Sequence, residues 1–332
     1  MEASQLSVRT DSGDGAAAAV VVIGGANIDV KSRMTVVPVM GTSNPGVSST
    51  TAGGVARNIA ENLGRLGVGT ELITAIGADG GGAWIRSVTE ASGVGMRHSV
   101  TSPAATGVYN AILDQTGDLL IAAASMSALE SLTVETIDAA AAMICAAAYV
   151  VLDCNVDASV IVHAARVARH GGVPVIIDPV SVTKSARVLD VLDAGIRIHT
   201  ITPNADEMHA LTGSADRGPD WLRSAADQLH ARGVSVVWTR CGAEGSVLSV
   251  RHDGATLFEK VPACHASLVD ATGAGDAMLA GYVAALVRGF TPRDAARQGR
   301  AAAAIAIESP LTVSEQMTRE HLANRTTQCD EG

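Results

Sequence analysis

The stretch Leu268 to Leu279, LVDATGAGDAML, places Gly273 and Gly275 in a turn and follows them at once with an acid, Asp276. Glycines leading into a helix leave backbone N–H groups aimed at a common spot, which suits a phosphate. A P-loop would follow such glycines with a lysine. Here the amides of Gly273, Ala274 and Gly275 run into a carboxylate instead. The combination makes sense if a phosphoryl group passes over the amides while Asp276 faces a hydroxyl, orients it and takes its proton during attack. Charge developing on the phosphoryl oxygens then meets the amides and the helix dipole. An acid placed at a helix start for its dipole alone is the plainer alternative.

Four other stretches carry candidate chemistry. GGANID, 24–29, follows a strand-like VVVI but lacks G-x-G-x-x-G, which disfavours a dehydrogenase. It leaves Asn27 and Asp29 just past a strand end, where open α/β sheets bind ligands and a carboxylate can accept from two sugar hydroxyls. AGGVARN, 52–58, sets Gly53 and Gly54 before a helix with Asn58 on its first turn; the backbone can approach a ligand closely there, and the helix supplies free N–H groups. A tight turn into a helix explains the same residues. ITPNADEM, 201–208, spaces Asn204 and Glu207 for a water-coordinated Mg²⁺ beside phosphates, or for a capping box. TRCGAEGS, 239–246, turns on Gly242 and Gly245 and could bring Thr239 or Arg240 to a phosphate; a plain β-turn is the alternative.

The elements that must hold these residues alternate along the chain. Short β-branched runs at 20–25, 149–154, 173–179, 198–204, 234–240 and 245–251 are separated by helical patterns, among them 55–67, 158–170, 274–289 and 292–307. Strand–helix alternation predicts an α/β fold with a parallel sheet covered on both faces. Two stretches break the rhythm, 32–52 and 99–125, the second resembling two strands joined at DQTGD. They suggest a small β lid made from two insertions, with surface decoration as the bland reading.

The chain has 332 residues, 47% of them hydrophobic and 2% aromatic, and a net charge of −10 without a basic block. Nucleic-acid and anionic-membrane partners are therefore disfavoured. The N-terminus lacks the basic start and long apolar run of a signal peptide, so a soluble cytoplasmic protein is expected, with flexible tails over 1–18 and 323–332 around one domain, 19–322. Five cysteines, an odd number with no CxxC, point to buried reduced thiols rather than disulfides or zinc.

Over roughly residues 20–310 these motifs resemble the ribokinase-like (PfkB) family of small-molecule kinases. DATGAGD resembles that family's signature, whose last acid, here Asp276, is the catalytic base. AGGVARN resembles its glycine motif, in which the counterparts of Gly54 and Asn58 hold the sugar. Asp29 matches the acid that grips ribose hydroxyls, and PNADE the N-x-x-E motif linked to Mg²⁺ and phosphate. The resemblance implies a ribokinase-like sandwich with a β lid, ATP and Mg²⁺ as cofactors, a small-molecule acceptor, and the option of a homodimer through the lid. In some relatives the positions of Asp270 and Thr272 help to bind a monovalent cation, which raises K⁺ here. Two departures stand out: Arg240 occupies a position that is usually Thr or Lys, and Ser125 one that is often an acid.

Within the family, TSNPG (42–46), GGVARNIAENLGRLG (53–67), DCN (153–155), DPVSVTK (178–184) and ESPLTV (308–313) are most similar to the branch that acts on pseudouridine. That similarity implies phosphorylation of the nucleoside 5′-hydroxyl, with Thr42, Ser43 and Asn44 offering donors and acceptors to a uracil edge. Ribose and adenosine kinases are the nearest alternatives. A purine site would favour a stacking aromatic, and Tyr109 is the only aromatic in either insertion. A non-catalytic ligand sensor on the same fold is a further alternative.

Overall fold

The computed structural model describes residues 19–214, 218 and 220–331. The expected tail over 1–18 lies outside the described residues. The first half of the chain forms β1 (Val20–Ile23), β2 (Asn27–Met34), β3 (Gly46–Gly53), α1 (Val55–Arg65), β4 (Thr70–Ile73), β5 (Ala75–Gly77), α2 (Gly80–Ala91), β6 (Val94–Gly95), β7 (Val100–Ser102), β8 (Val108–Leu113), β9 (Leu119–Ser125), α3 (Val134–Ala139), α4 (Ala141–Ala146) and β10 (Tyr149–Asp153). There follow α5 (Ala158–His170), β11 (Val175–Asp178), α6 (Ala186–Asp193), β12 (Ile198–Ile201), α7 (Ala205–Thr212), α8 (Trp221–Ala231), β13 (Val234–Arg240), β14 (Ser246–His252), β15 (Ala255–Val261), α9 (Ala274–Val287), α10 (Pro292–Ile307) and α11 (Arg319–Glu331).

Nine strands make the main sheet, in the order β15-β14-β13-β12-β11-β10-β1-β4-β6. It is parallel from β6 to β13 and ends in the antiparallel strands β14 and β15. The run VVVI of β1 is fully buried because both sheet faces are covered: Val20 and Val22 belong to one core, Val21 and Ile23 to the other. This is the two-residue alternation of a strand between two helical layers. One layer contains α1, α9 and α10, the other α5, α6 and α8. Small residues bring α9 and α10 close together: a Cβ on Gly281 would press on Ala302, and one on Gly299 would enter the Trp238 indole.

The expected insertions form a second sheet, in the order β3-β2-β8-β9. Its start differs from the sequence reading. Asp29 lies inside β2, paired with Thr51 and Tyr109, rather than beyond the end of a core strand. The strand-like stretch TELITAIG, residues 70–77, is split between two sheets: β4 joins the main sheet, and β5 leaves it to pair with β7.

Two expectations at the C-terminus are corrected. Residues 323–331, read as flexible, belong to α11, whose Leu322 is fully buried against the core. Cys264 and Cys329, read as reduced, form a disulfide with Cα atoms 5.2 Å apart, leaving Cys145, Cys154 and Cys241 free. The pair is 65 residues apart in sequence and is brought together only by α11, so neither spacing nor count revealed it. Among the described residues no helix is long and apolar enough to cross a membrane.

Candidate active site

The first turn of α9 is the centre of the site. Gly273 is its N-cap at φ 81°, a left-handed conformation that favours glycine, and a side chain there would also collide with the Thr312 carbonyl. The Ala274 amide makes a long 3.3 Å bond to the Ala271 carbonyl, while the amides of Gly275 and Asp276 have no partner among the described residues. The Gly273 amide is likewise without a partner among the described residues, so of the expected anion-hole amides only that of Ala274 is engaged.

Asp276 is buried and accepts a 2.8 Å hydrogen bond from Asn58 Nδ2. Burial removes water from its charged form and raises its pKa from 3.8 to about 7; Asn58 and Arg240 oppose the shift, and the carboxylates of Asp178 and Asp153 add to it. A carboxylate half ionised near neutral pH suits proton transfer from a hydroxyl.

Three further acids lie near it; of these the motifs singled out Glu207 but gave no role to Asp153 or Asp178. Asp153, at the end of β10, accepts from the amides of Gly25 (2.9 Å), Ala56 (2.8 Å) and Asn155 (2.9 Å). It thereby joins the turn after β1 to the start of α1. Gly24 must lack a side chain because a Cβ would strike this carboxylate. Asp178, at the end of β11, accepts from the Val180 amide at 2.8 Å, from Thr202 Oγ1 at 3.0 Å and from Arg240 Nη1 at 3.1 Å. Val180 stands at φ 67°, a strained conformation for a β-branched residue, on a cavity wall. Glu207 completes the group, 3.3 Å from Arg240 Nη2.

Two cavities meet at α9. One, about 950 Å³, is lined by Asp29, Gly54, Asn58, Tyr109, Gly273 and Asp276. Other parts of its wall come from Ser125 and Glu130 near the lid, and from Asn155, Asp157, Lys184 and Arg187 beyond β10 and β11. The second, about 490 Å³ and mainly apolar, is lined by Arg240, Gly242, Gly245, Ala274, Gly275 and Met278 among others. The acid of the first turn thus faces one space and its glycine Gly275 the other. The Arg240 guanidinium lies so close that a Cβ on Gly275 would run into it. Burial works against the Arg240 charge, but Asp178 and Glu207 outweigh it and raise the pKa.

The remaining sequence candidates divide. Asp29 lines the first cavity and is held by Asn27 Nδ2 at 2.6 Å; burial raises its pKa against the pull of Asn27 and Lys31. Gly53 makes room for it, since a Cβ there would overlap the Asp29 carboxylate, and Gly54 at φ 97° lies against the Gly25 backbone. At the start of α1 three amides are engaged, Ala56 with Asp153, Arg57 with the Gly25 carbonyl and Asn58 with the Gly54 carbonyl, while that of Val55 has no partner among the described residues. Thr239 is buried in β13 and lines neither cavity. Ser43 and Asn44 are also outside the cavity walls; Asn44 closes an exposed turn through the Val39 amide and carbonyl.

Metal expectations meet occupied residues. Asn204 and Glu207 form a reciprocal capping box on α7, and both Glu207 oxygens are engaged, Oε1 by Asn204 Nδ2 and Oε2 by the Asn204 amide and Arg240. Among the described residues no group of three or more His, Cys, Asp or Glu side chains could hold a metal ion directly. Asp270 and Thr272 are contacted by Lys31.

A buried carboxylate of raised pKa, set between an acceptor-sized cavity and a second cavity under a helix N-terminus, defines a phosphotransferase of the α/β class. The chain belongs to the pfkB family of carbohydrate kinases, whose model matches residues 17–319, and it is a kinase of a sugar or nucleoside. It is 32% identical to a pseudouridine kinase of Escherichia coli (strain K12) over 88% of this chain and 91% of that protein. It is 26% identical to a pseudouridine kinase of Arabidopsis thaliana over 87% and 90%. In fold it matches the structure of an Arabidopsis thaliana ribokinase complexed with ribose and ATP, with a TM-score of 0.81 at 24% identity, covering 94% of this chain and 99% of that one.

Proposed function

We propose that this kinase transfers the γ-phosphoryl group of ATP to the 5′-hydroxyl of pseudouridine, with Asp276 as general base. Asp276 removes the hydroxyl proton as the oxygen attacks phosphorus. The Gly275 and Asp276 amides and the Arg240 guanidinium receive the charge on the phosphoryl oxygens. Asp29 accepts from the ribose hydroxyls, and Asn58 fixes the Asp276 carboxylate. The nucleotide occupies the apolar cavity beside Gly242 and Gly245 and brings Mg²⁺ with it. Glu207, whose oxygens are held by Asn204 and Arg240, would help to hold such an ion through water, and the ion would offset phosphate charge.

The observation that carries the nucleoside reading is the polar wall made by Asn155, Asp157, Lys184 and Arg187. They come from or adjoin DCN and DPVSVTK, the segments most similar to pseudouridine kinases. Lys184 Nζ donates to Asn155 Oδ1 at 2.6 Å, and Arg187 Nη1 donates to the carbonyls of Cys154 and Val156 at 2.6 and 2.8 Å. Such groups can meet a base edge, for which a bare sugar has no use. In place of the acid missing at Ser125, Glu130 offers a carboxylate on the same cavity. Pseudouridine exposes a ring N–H where uridine has C–H. A buried acceptor left unpaired by uridine would cost about 1–3 kcal/mol, roughly 5- to 150-fold in selectivity. Specificity constants for pseudouridine, uridine, adenosine and ribose at saturating ATP test this. Equal constants for the first two would remove the discrimination, and a preference for adenosine or ribose would replace the acceptor.

The lid supports pairing of two chains. Leu119, Leu120 and Ile121 of β9 and Val47 of β3 are all exposed. A molar mass by light scattering equal to one chain would exclude that pairing.

A further inference from the structure

Where the resemblance raised K⁺, a side chain of this protein already stands. Lys31 Nζ lies 3.0 Å from Asp270 Oδ2 and 2.8 Å from Thr272 Oγ1. The other Asp270 oxygen accepts the Thr272 amide at 2.8 Å. We propose that Lys31 supplies the cation of this loop, so that the kinase turns over without K⁺, and that the same contact ties the lid strand to the anion hole.

Three features carry the inference. A second monovalent cation on these oxygens would stand beside an ammonium of the same sign, with which it would have to share every ligand. The location is equally specific: Thr272 directly precedes Gly273, the N-cap whose left-handed backbone starts the anion hole. Lys31 also lies two residues after Asp29 on β2, so both side chains project from one face of the strand. One lid strand thus carries both the proposed ribose acceptor and the contact that holds the loop under the phosphoryl group. The side chains of Lys31 and Asp270 are 29% and 35% exposed, and a pair so exposed contributes little to global stability. Its effect should therefore appear in turnover and cation response rather than in folding. Lys31 is a positioning residue, since it acts through Asp270 and Thr272.

The test compares wild type, Lys31→Met and Lys31→Arg in potassium chloride and in matched choline chloride, with two readouts: initial rate with whichever acceptor is turned over fastest, and melting temperature. The proposal rests on the kinase reading only through the first readout, so failure of pseudouridine as acceptor leaves it testable, and the melting arm needs no acceptor. Wild type and Lys31→Arg should be insensitive to the choice of salt, within about twofold in rate. Lys31→Met should lose roughly tenfold in choline, the range of a lost charge-assisted hydrogen bond. It should recover in potassium or methylammonium, and its melting temperature should rise with potassium while that of wild type does not. Severalfold activation of wild type by potassium would overturn the proposal, as would a Lys31→Met enzyme that keeps its rate and ignores cations. If Lys31→Met does not fold, wild type and Lys31→Arg decide: insensitivity of both supports the proposal, and potassium activation of either overturns it.

Discussion

Around the start of α9, Asp153, Asp178, Glu207 and Asp276 are no more than 8% exposed, and each accepts at least one hydrogen bond from a named donor. In the lid, β9 is exposed along its whole length, and β3 is buried only at Gly53. The floor of the site concentrates charge where water is scarce, so its carboxylates trade stability for chemistry or for fixing the backbone. The lid has little apolar area to lose, and it contributes through the few side chains that face inward, Asp29, Lys31 and Tyr109. Substitutions in the floor should therefore change turnover and stability, and those in the lid should leave the fold intact while changing binding or, at Lys31, turnover.

The largest effect is expected at Asp276. Asp276→Asn should lower kcat by about 10²–10⁴, the usual range for a general base, while the ATP dissociation constant by calorimetry stays nearly unchanged. Stability should move the other way. The fold favours the protonated acid, so that contribution is fully present below pH 3.8 and is lost as pH rises through about 7. An amide escapes that loss, and at pH 8 the variant should melt higher, by an amount bounded at about 4 kcal/mol. A variant that melts lower would mean that the carboxylate serves the fold.

Asp153→Ala tests the other kind of floor acid. Three amides lose their acceptor, at about 1–3 kcal/mol for each left unpaired. Denaturant unfolding should show a loss of roughly 3 kcal/mol or more; an unchanged midpoint would break the distinction between the two acids.

Asp29→Ala should act on binding alone. With its pair of hydroxyl contacts gone, KM for the acceptor should rise roughly 10²- to 10⁴-fold, at about 1.5–3 kcal/mol for each bond to a charged group. KM for ATP and the melting temperature should hold. A 2′-deoxy acceptor used as well as the ribonucleoside would remove Asp29 from this role. The smallest effect belongs to the outer lid: Leu119→Ser with Ile121→Ser should leave monomer stability within about 0.5 kcal/mol per site. A large fall in a monomeric chain would mean that the lid is part of the core.

The comparison also explains what the sequence made legible. Helix α9, with its glycines and Asp276, and the insertions as a lid sheet were readable because each is a local pattern: a turn before a helix, or alternation around DQTGD. Asp153, Asp178 and Lys31 were not, because their meaning lies in partners far along the chain, such as Gly25 for Asp153 and Asp270 for Lys31. DCN and DPVSVTK show only similarity as sequence, and the fold puts their Asn155, Val180 and Lys184 on the cavity wall. The opposite failure occurred at Ser43 and Asn44. Their residue types suit a uracil edge, but Asn44 satisfies its own turn, and the loop stays on the outside of the lid.

The central claim is that a buried carboxylate at the meeting point of two cavities takes the acceptor proton, and the pH dependence of kcat/KM in wild type and Asp276→Asn addresses it most directly. With both substrates' own ionisations accounted for, the wild-type constant should climb with pH on the acid side and level off above about 7, where Asp276 is ionised. The variant should lie far lower and show no such bend. A wild-type profile that is flat from acid to alkaline pH, or a variant that keeps both the bend and the rate, would contradict it.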